Sequence, residues 1–134
     1  MPTTTKQVFH PSLRYRDARA AMSFLESAFG FETKAAYEGD DGTLMHVEMT
    51  FRDGMVMFGA VREDSDYGKI APPTGSASIY VVIDDPDALH DRAVAAGADI
   101  AMPLTDQDYG SRDFAVRDPE GNLWSFGTYD PWAA

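Results

Sequence analysis

The stretch His10–Gly30, HPSLRYRDARAAMSFLESAFG, decides the fold, because the chain presents its pattern twice. It opens on alternating residues, meets Asp17, runs through apolar positions at helical spacing and stops at Gly30. The segment Ala77–Gly97, ASIYVVIDDPDALHDRAVAAG, does the same. Asp84 and Gly97 lie 67 residues after Asp17 and Gly30, and the same interval carries Asp53-Gly54 onto Glu120-Gly121. Three landmarks at one interval argue for two copies of a single βα unit. A pseudo-symmetric pair leaves a cleft between its halves, and clefts are where small molecules bind.

Working outward, Val8–Tyr15 reads as a strand with two unlike faces: Phe9, Leu13 and Tyr15 on one, His10, Ser12 and Arg14 on the other. Asp17 suits the N-cap of a helix over 18–29, with Ala21, Met22, Leu25, Ala28 and Phe29 on its inner stripe. Gly30 suits the position just past the helix, where φ is often positive. Short strands follow at Phe31–Tyr37, Leu44–Phe51 and Met55–Gly59, with turns at 39–42 and 52–54. The polar stretch 62–75, with Pro72-Pro73, reads as a linker.

The second copy begins with a strand over Ser76–Ile83. Asp84 or Asp85 caps a helix starting at Pro86, with Leu89, Ala93 and Ala96 inward. Strands at Ile100–Leu104, Arg112–Val116 and Leu123–Phe126 complete it. The expected fold is α+β: two βαβββ modules in tandem, module 1 about 8–61, linker 62–75 and module 2 about 76–128, in one domain of 134 residues. Each helix covers one face of its sheet. The other faces are expected to meet and form a cleft lined by a curved sheet.

The bulk composition narrows the function. At 44% hydrophobic and 25% charged, this is the make-up of a globular protein. A formal charge of −11 repels phosphate backbones and anionic membranes, so neither nucleic acid nor membrane is an expected partner. No apolar run approaches the roughly 20 residues of a membrane span, and the first residues lack the apolar core of a signal peptide. The chain has no cysteine, which removes disulfides, thiolate metal sites and a cysteine nucleophile. The expected location is cytoplasmic.

Several motifs together resemble the vicinal oxygen chelate superfamily, which includes glyoxalase I, bleomycin-resistance proteins and extradiol dioxygenases. They are His10-x-x-Leu13-x-Tyr15-x-Asp17 with Phe24-Leu25 and Phe29-Gly30-Phe31, then Val82-Ile83-Asp84-Asp85 with Ala95-Ala96-Gly97-Ala98, and finally Arg117-Asp118-Pro119-Glu120-Gly121-Asn122-Leu123-Trp124. The resemblance spans about residues 8–128 and is nearest the bleomycin-resistance-like and PhnB-like branches. It implies the tandem-module fold, a small-molecule cleft and a homodimer, with the modules pairing either within one chain or between chains.

In the enzymes of that superfamily, four strand positions hold a divalent metal. Counting from the motifs places these at His10, Phe58, Ala77 and Ser125. One histidine cannot replace the three or so His, carboxylate or thiolate ligands a catalytic metal needs, so no metal or other cofactor is expected. The candidate ligand contacts are His10, Arg14, His46, Glu48, Phe58, Ile79, Tyr109, Arg112 and Ser125. His46 and Glu48 are two apart on one strand and share a face, as an acid–base pair or a non-standard metal site with His10 would require. Tyr109 lies in a loop resembling the place where resistance proteins stack an aromatic residue on ligand. Arg14 suits an anionic group or a salt bridge. His90 reads as a solvated surface residue, Trp124 as core, and Met45, Met49, Met55 and Met57 as core filler.

Two functions follow. One is a metal-independent binding protein that sequesters an antibiotic or carries a metabolite, with the acidic charge favouring cationic ligands. The other is a glyoxalase-like lyase, isomerase or dioxygenase that uses a metal or the His46/Glu48 pair.

Overall fold

The computed structural model describes residues 7–133. The elements of module 1 are β1 (Ser12–Tyr15), α1 (Ala18–Phe29), β2 (Glu32–Glu38), β3 (Leu44–Phe51) and β4 (Gly54–Ala60). A short helix α2 (Asp66–Ile70) interrupts the linker. Module 2 contains β5 (Ser78–Val82), α3 (Pro86–Ala95), β6 (Asp99–Asp106), β7 (Arg112–Arg117) and β8 (Leu123–Gly127). The two sheets have matching orders, β1-β4-β3-β2 and β5-β8-β7-β6. In each, the first strand runs parallel to the last and the remaining pairs are antiparallel.

The helix ends are set by local chemistry. The Asp17 carboxylate accepts from Ala20 N at 3.0 Å, and Asp85 accepts from Ala88 N at 3.0 Å. Each satisfies a first-turn amide that has no partner within the helix. Gly30, at φ 76°, ends α1 in a left-handed conformation that costs glycine little. Of the two candidate caps for α3, Asp85 is the one used.

That cap corrects the repeat interval. Asp17 to Asp85 is 68 residues, whereas Gly30 to Gly97 is 67. The interval is 67 between β3 and β7 and returns to 68 between β4 and β8, because Val47 pairs with Phe58 as Phe114 pairs with Phe126. The extra residue sits in the closing hairpin. Phe51 and Gly54 enclose Arg52-Asp53, but Asp118 and Asn122 enclose Pro119-Glu120-Gly121, with Gly121 at φ 103°. A three-residue hairpin loop takes a positive-φ glycine in this way.

The strand β1 is shorter than the alternation from Val8 implies. Pro11 has no amide to donate, and the ladder begins at Ser12. Ahead of it, the Gln7 side chain imitates a strand neighbour: its Oε1 accepts from Met55 N at 2.9 Å and its Nε2 donates to Met55 O at 2.8 Å.

The sheets pack through their helix-bearing faces. Leu13, Tyr15, Val47, Met49, Val56 and Phe58 of the first sheet join Phe114, Val116, Trp124 and Phe126 of the second in one buried cluster around Leu25, Phe29 and Ala93. Phe29 of α1 contacts Trp124 and Phe126 at centroid distances of 5.7 and 4.7 Å, and Phe31 meets Trp124 at 5.5 Å. Arg92 of α3 donates to the carbonyls of Glu26 and Ser27 at the end of α1, both at 3.0 Å. Both helices therefore lie between the sheets. The expected meeting of the other two faces does not occur within the chain: those faces are on the outside. Ala96, read as inward, is exposed at the end of α3.

Candidate functional site

The outer face of the first sheet gathers titratable side chains. Register places Arg14 beside Gly59, and Tyr37 beside His46. A second row reads Ser12, Met57, Glu48 and Ala35. His46 Nε2 lies 3.0 Å from Glu48 Oε2, and Lys34 Nζ is 3.6 Å from Glu48 Oε1. The hydrogen bond from His46, aided by the Lys34 charge, holds the Glu48 carboxyl below the usual carboxylate range. Tyr37 stacks on the imidazole at 6.0 Å and 26°. Arg14 stacks its guanidinium 4.7 Å from the ring centre of Tyr67, on the linker helix α2. Among the described residues, Arg14 has no carboxylate partner, although Arg19, Arg52, Arg62 and Arg112 each have one. A small cavity of about 160 Å³ lies between Arg14, Tyr67 and the linker residues 71–77.

The outer face of the second sheet carries Tyr80, Ser125, Ala115 and Met102 in one row. Tyr80 Oη donates to Tyr129 O at 2.7 Å, and Tyr109 meets Tyr129 edge-on at 6.0 Å. Both outer faces leave large side chains exposed: Tyr37 and Tyr80 are 59% and 41% exposed, and Met102 is 50% exposed.

The structure therefore brings His46 and Glu48 into contact, with Arg14 on the same outer face of module 1, and places Ser125 and Tyr109 in module 2 without a contact between them. The remaining candidates go elsewhere. Phe58 is wholly buried, edge-on to Tyr15 at 5.2 Å. The 68-residue interval makes Met57 the counterpart of Ser125, and a one-residue slip moves a side chain to the opposite face. Ile79 has the parity of Trp124, not Ser125, and faces inward. His10 is exposed ahead of β1, with Nδ1 3.0 Å from Gln7 Nε2. Arg112 is held by Asp87 at 2.7 Å and Asp106 at 3.1 Å, which ties α3 to β6 and β7. His90 is no solvated surface residue: its ring packs edge-on to Phe114 at 5.3 Å, and its buried Nδ1 has no hydrogen-bond partner. Trp124 is core, at 1% exposure, and Met49 is buried, but Met45 is exposed and Met55 and Met57 are only partly covered.

Tyr37, Lys34, Tyr67, Met57 and Tyr80 were not among the sequence candidates. Alternation along β2 and β5 marks Tyr37 and Tyr80, whereas nothing local to the linker marks Tyr67.

Between the sheets, beyond the ends of the helices, runs a separate groove of about 990 Å³. Phe31, Met49, Phe51 and Val56 form one wall, and Ile79, Val81 and Trp124 the other. No described helix is long and apolar enough to cross a membrane.

The family metal does not fit this chain. On the observed register its four positions are His10, Met57, Ser78 and Ser125, an imidazole, a thioether and two hydroxyls. Such a set lacks the two further imidazole or carboxylate donors that a divalent metal needs. Among the described residues, no three His, Asp or Glu side chains converge as a metal cluster.

Comparisons with known proteins agree with this architecture. The model of the Glyoxalase/Bleomycin resistance protein/Dioxygenase superfamily matches residues 7–126. Uncharacterized proteins of Mycobacterium bovis and Mycobacterium tuberculosis are 31% identical over 131 residues, spanning 95% of this chain and 86% and 77% of their own lengths. The crystal structure of TioX from Micromonospora sp. ML1 is 32% identical, with a TM-score of 0.77, and covers 89% of this chain and 97% of its own. A lactoylglutathione lyase from Agrobacterium tumefaciens, at 21% identity and TM-score 0.68 over 93% of this chain and 95% of its own, shares the fold. Matching motifs, tandem modules and family model converge: the chain belongs to the glyoxalase/bleomycin resistance protein/dioxygenase superfamily.

Proposed function

We propose that this protein binds a small planar, amphipathic molecule without a metal, in a site made by the outer face of module 1 and the outer face of module 2 from a second copy. The carrying observation is the first sheet's outer face, which carries Arg14, His46, Glu48 and Tyr37; among the described residues the second sheet does not pack on it, and Tyr67 of the linker helix stacks on Arg14 at its edge. Tyr37 and His46 offer a stacking surface, and Tyr80 and Met102 of the other copy offer a second. Glu48 and Arg14 orient the ligand's polar groups. The chain's negative charge draws cations from a distance. Sequestration of an antibiotic or carriage of a metabolite fits a pre-formed face that lacks the superfamily's metal donors.

The test is thermal melting of chelator-treated protein with quinoline, 2-naphthoate and 2-naphthylammonium as planar neutral, anionic and cationic probes. A ligand at 100 times its dissociation constant stabilises by about 2.7 kcal/mol. Stabilisation by a probe without metal, lost in His46→Ala, supports the reading. Stabilisation by Ni²⁺ or Zn²⁺ alone, lost in His10→Ala, contradicts it.

A second reading is favoured by the 3.0 Å contact of His46 with an ionised Glu48. A carboxylate that orients an imidazole is the arrangement of a general base. An enzyme of this kind moves a proton at His46, and turnover that survives both His46→Ala and Glu48→Gln excludes it.

A further inference from the structure

The cavity between β1 and the linker differs in charge from the rest of the chain. It holds about 160 Å³, and among the described residues Arg14 is the only charged side chain that lines it, although the chain carries 22 acidic and 11 basic residues. The half-buried arginines of the described chain are Arg14, Arg62 and Arg112. Arg62 faces Asp64 at 3.6 Å, and Arg112 holds Asp87 at 2.7 Å and Asp106 at 3.1 Å. Arg14 has no such partner among the described residues. One of its N–H groups donates to Leu13 O at 3.1 Å, and the Tyr67 ring centre lies 4.7 Å from its Cζ. A guanidinium carries five N–H donors in a planar fork, so most of this one's capacity is unspent. We infer that the cavity is the seat of a carboxylate on the ligand, paired with the Arg14 fork and walled by Tyr67.

Four observations select that group. First, a single guanidinium is neutralised by a monoanion, and its fork matches a planar carboxylate with two parallel hydrogen bonds. A phosphate dianion would leave excess negative charge in a chain already at −11. Second, the acid beside Thr74 is committed elsewhere: Glu120, 3.3 Å from Thr74 Oγ1, accepts from the amides of Arg16 and Asp17 at 2.6 and 2.8 Å. Third, the walls are fixed. Buried Asn122 accepts from Ala77 N at 3.1 Å and donates to Asp118 at 3.0 Å, and the Thr74 hydroxyl donates to Arg14 O. Fourth, Gly59 pairs with Arg14 on β4 and has no side chain, whereas a Cβ there would lie 3.5 Å from Arg14 Nη1. The face beside the fork is thereby open towards β3, which carries His46 and Glu48. The cavity is room for a charged end group, since whole-ligand sites run to roughly 300–1,000 Å³. Repulsion from the rest of the chain acts on an anion's approach more than on this contact, because exposed charges beyond about 10 Å are screened at 0.1 M salt. The inference rests on the proposed planar-ligand face for the remainder of the ligand and adds the seat of its charged end.

The experiment is titration calorimetry of the chelator-treated full chain with 2-naphthoate, its neutral match 2-naphthamide, and 2-naphthyl phosphate. It compares the wild type with Arg14→Gln, Arg14→Lys and His46→Ala, each checked for folding by far-UV circular dichroism. The wild type is expected to prefer 2-naphthoate to 2-naphthamide by about tenfold or more, the scale of a charge-assisted hydrogen bond. Arg14→Gln abolishes that preference by weakening 2-naphthoate alone. Arg14→Lys, a point charge without the fork, keeps part of it. 2-Naphthyl phosphate binds more weakly than 2-naphthoate. A wild type that does not distinguish 2-naphthoate from 2-naphthamide, a preference unchanged in Arg14→Gln, or tighter binding of the phosphate overturns the inference. Equal binding of 2-naphthoate and 2-naphthamide, with both lost in His46→Ala, sinks the carboxylate seat and leaves the planar-ligand face standing. A preference for 2-naphthoate that survives His46→Ala and disappears in Arg14→Gln upholds the seat and sinks that face. Failure of every probe to bind the wild type overturns both.

Discussion

Asp118 shows how a single residue joins the modules. Its buried carboxylate accepts five hydrogen bonds: from Tyr15 Oη at 2.6 Å, Asn122 Nδ2 at 3.0 Å and Trp124 Nε1 at 3.1 Å on one oxygen, and from the amides of Glu120 and Asn122 at 3.0 and 3.1 Å on the other. Next to it, Glu120 receives the amides of Arg16 and Asp17 at 2.6 and 2.8 Å. The closing hairpin of module 2 thus clasps the first strand and helix of module 1. Asp118→Ala leaves buried donors unpaired and is expected to cost about 3 kcal/mol or more in urea unfolding, against about 2 kcal/mol for Tyr15→Phe, which removes one donor. Burial, reinforced by Asp118, pushes the Tyr15 phenol far above its ordinary value near 10. A raised folded value means stability is present below about pH 10 and falls as pH rises beyond it, because the unfolded chain ionises first. Absorbance titration should therefore show the Tyr15 phenolate only together with loss of circular dichroism. Glu48 has the opposite sign. Its folded value is lowered, so its pairing with His46 persists at neutral pH and fails as pH drops below about 4. Probe affinity should fall over that window in the wild type and not in Glu48→Gln.

At the scale of elements, legibility followed chemistry local to the chain. Asp17 and Gly30 mark both ends of α1 because capping and positive φ depend on nearby backbone. The short helix α2 was hidden because Ser65, which caps it through Gly68 N at 2.9 Å, sits in a polar linker without apolar periodicity. A constant interval of 67 puts Phe58 on the outer face, but one added hairpin residue shifts β8 against β7, so Phe58 faces inward and Met57 matches Ser125. Gly59 offers a direct test of the β3–β4 pairing. A Cβ there overlaps the carbonyl oxygen of Met45 and comes within 3.5 Å of Arg14 Nη1. Gly59→Ala should force the strands apart, cost at least the roughly 1–3 kcal/mol typical of overpacking and displace Arg14. Gly97→Ala, with open space around its Cβ, should cost about 1 kcal/mol from positive φ alone.

Alternation along a strand tells which residues share a face, but not which face meets the sibling sheet. Both faces of the first sheet carry apolar residues, and the deciding contacts, Phe29 and Phe31 against Trp124, join positions more than 90 residues apart. For that reason the fold was legible and the placement of the site was not. The sequence marks Arg14, His46 and Glu48, but their placement on an outer face follows only from the packing of the whole molecule. The central claim is that this face is completed by module 2 of another copy. The chain has no cysteine, so one thiol can be placed on each face. Ala35→Cys protein, mixed with Met102→Cys protein and treated with a short bis-maleimide, tests the claim most directly. The account predicts a covalent heterodimer well above the yield from a Val94→Cys control on the exposed side of α3. A yield equal to that control contradicts it.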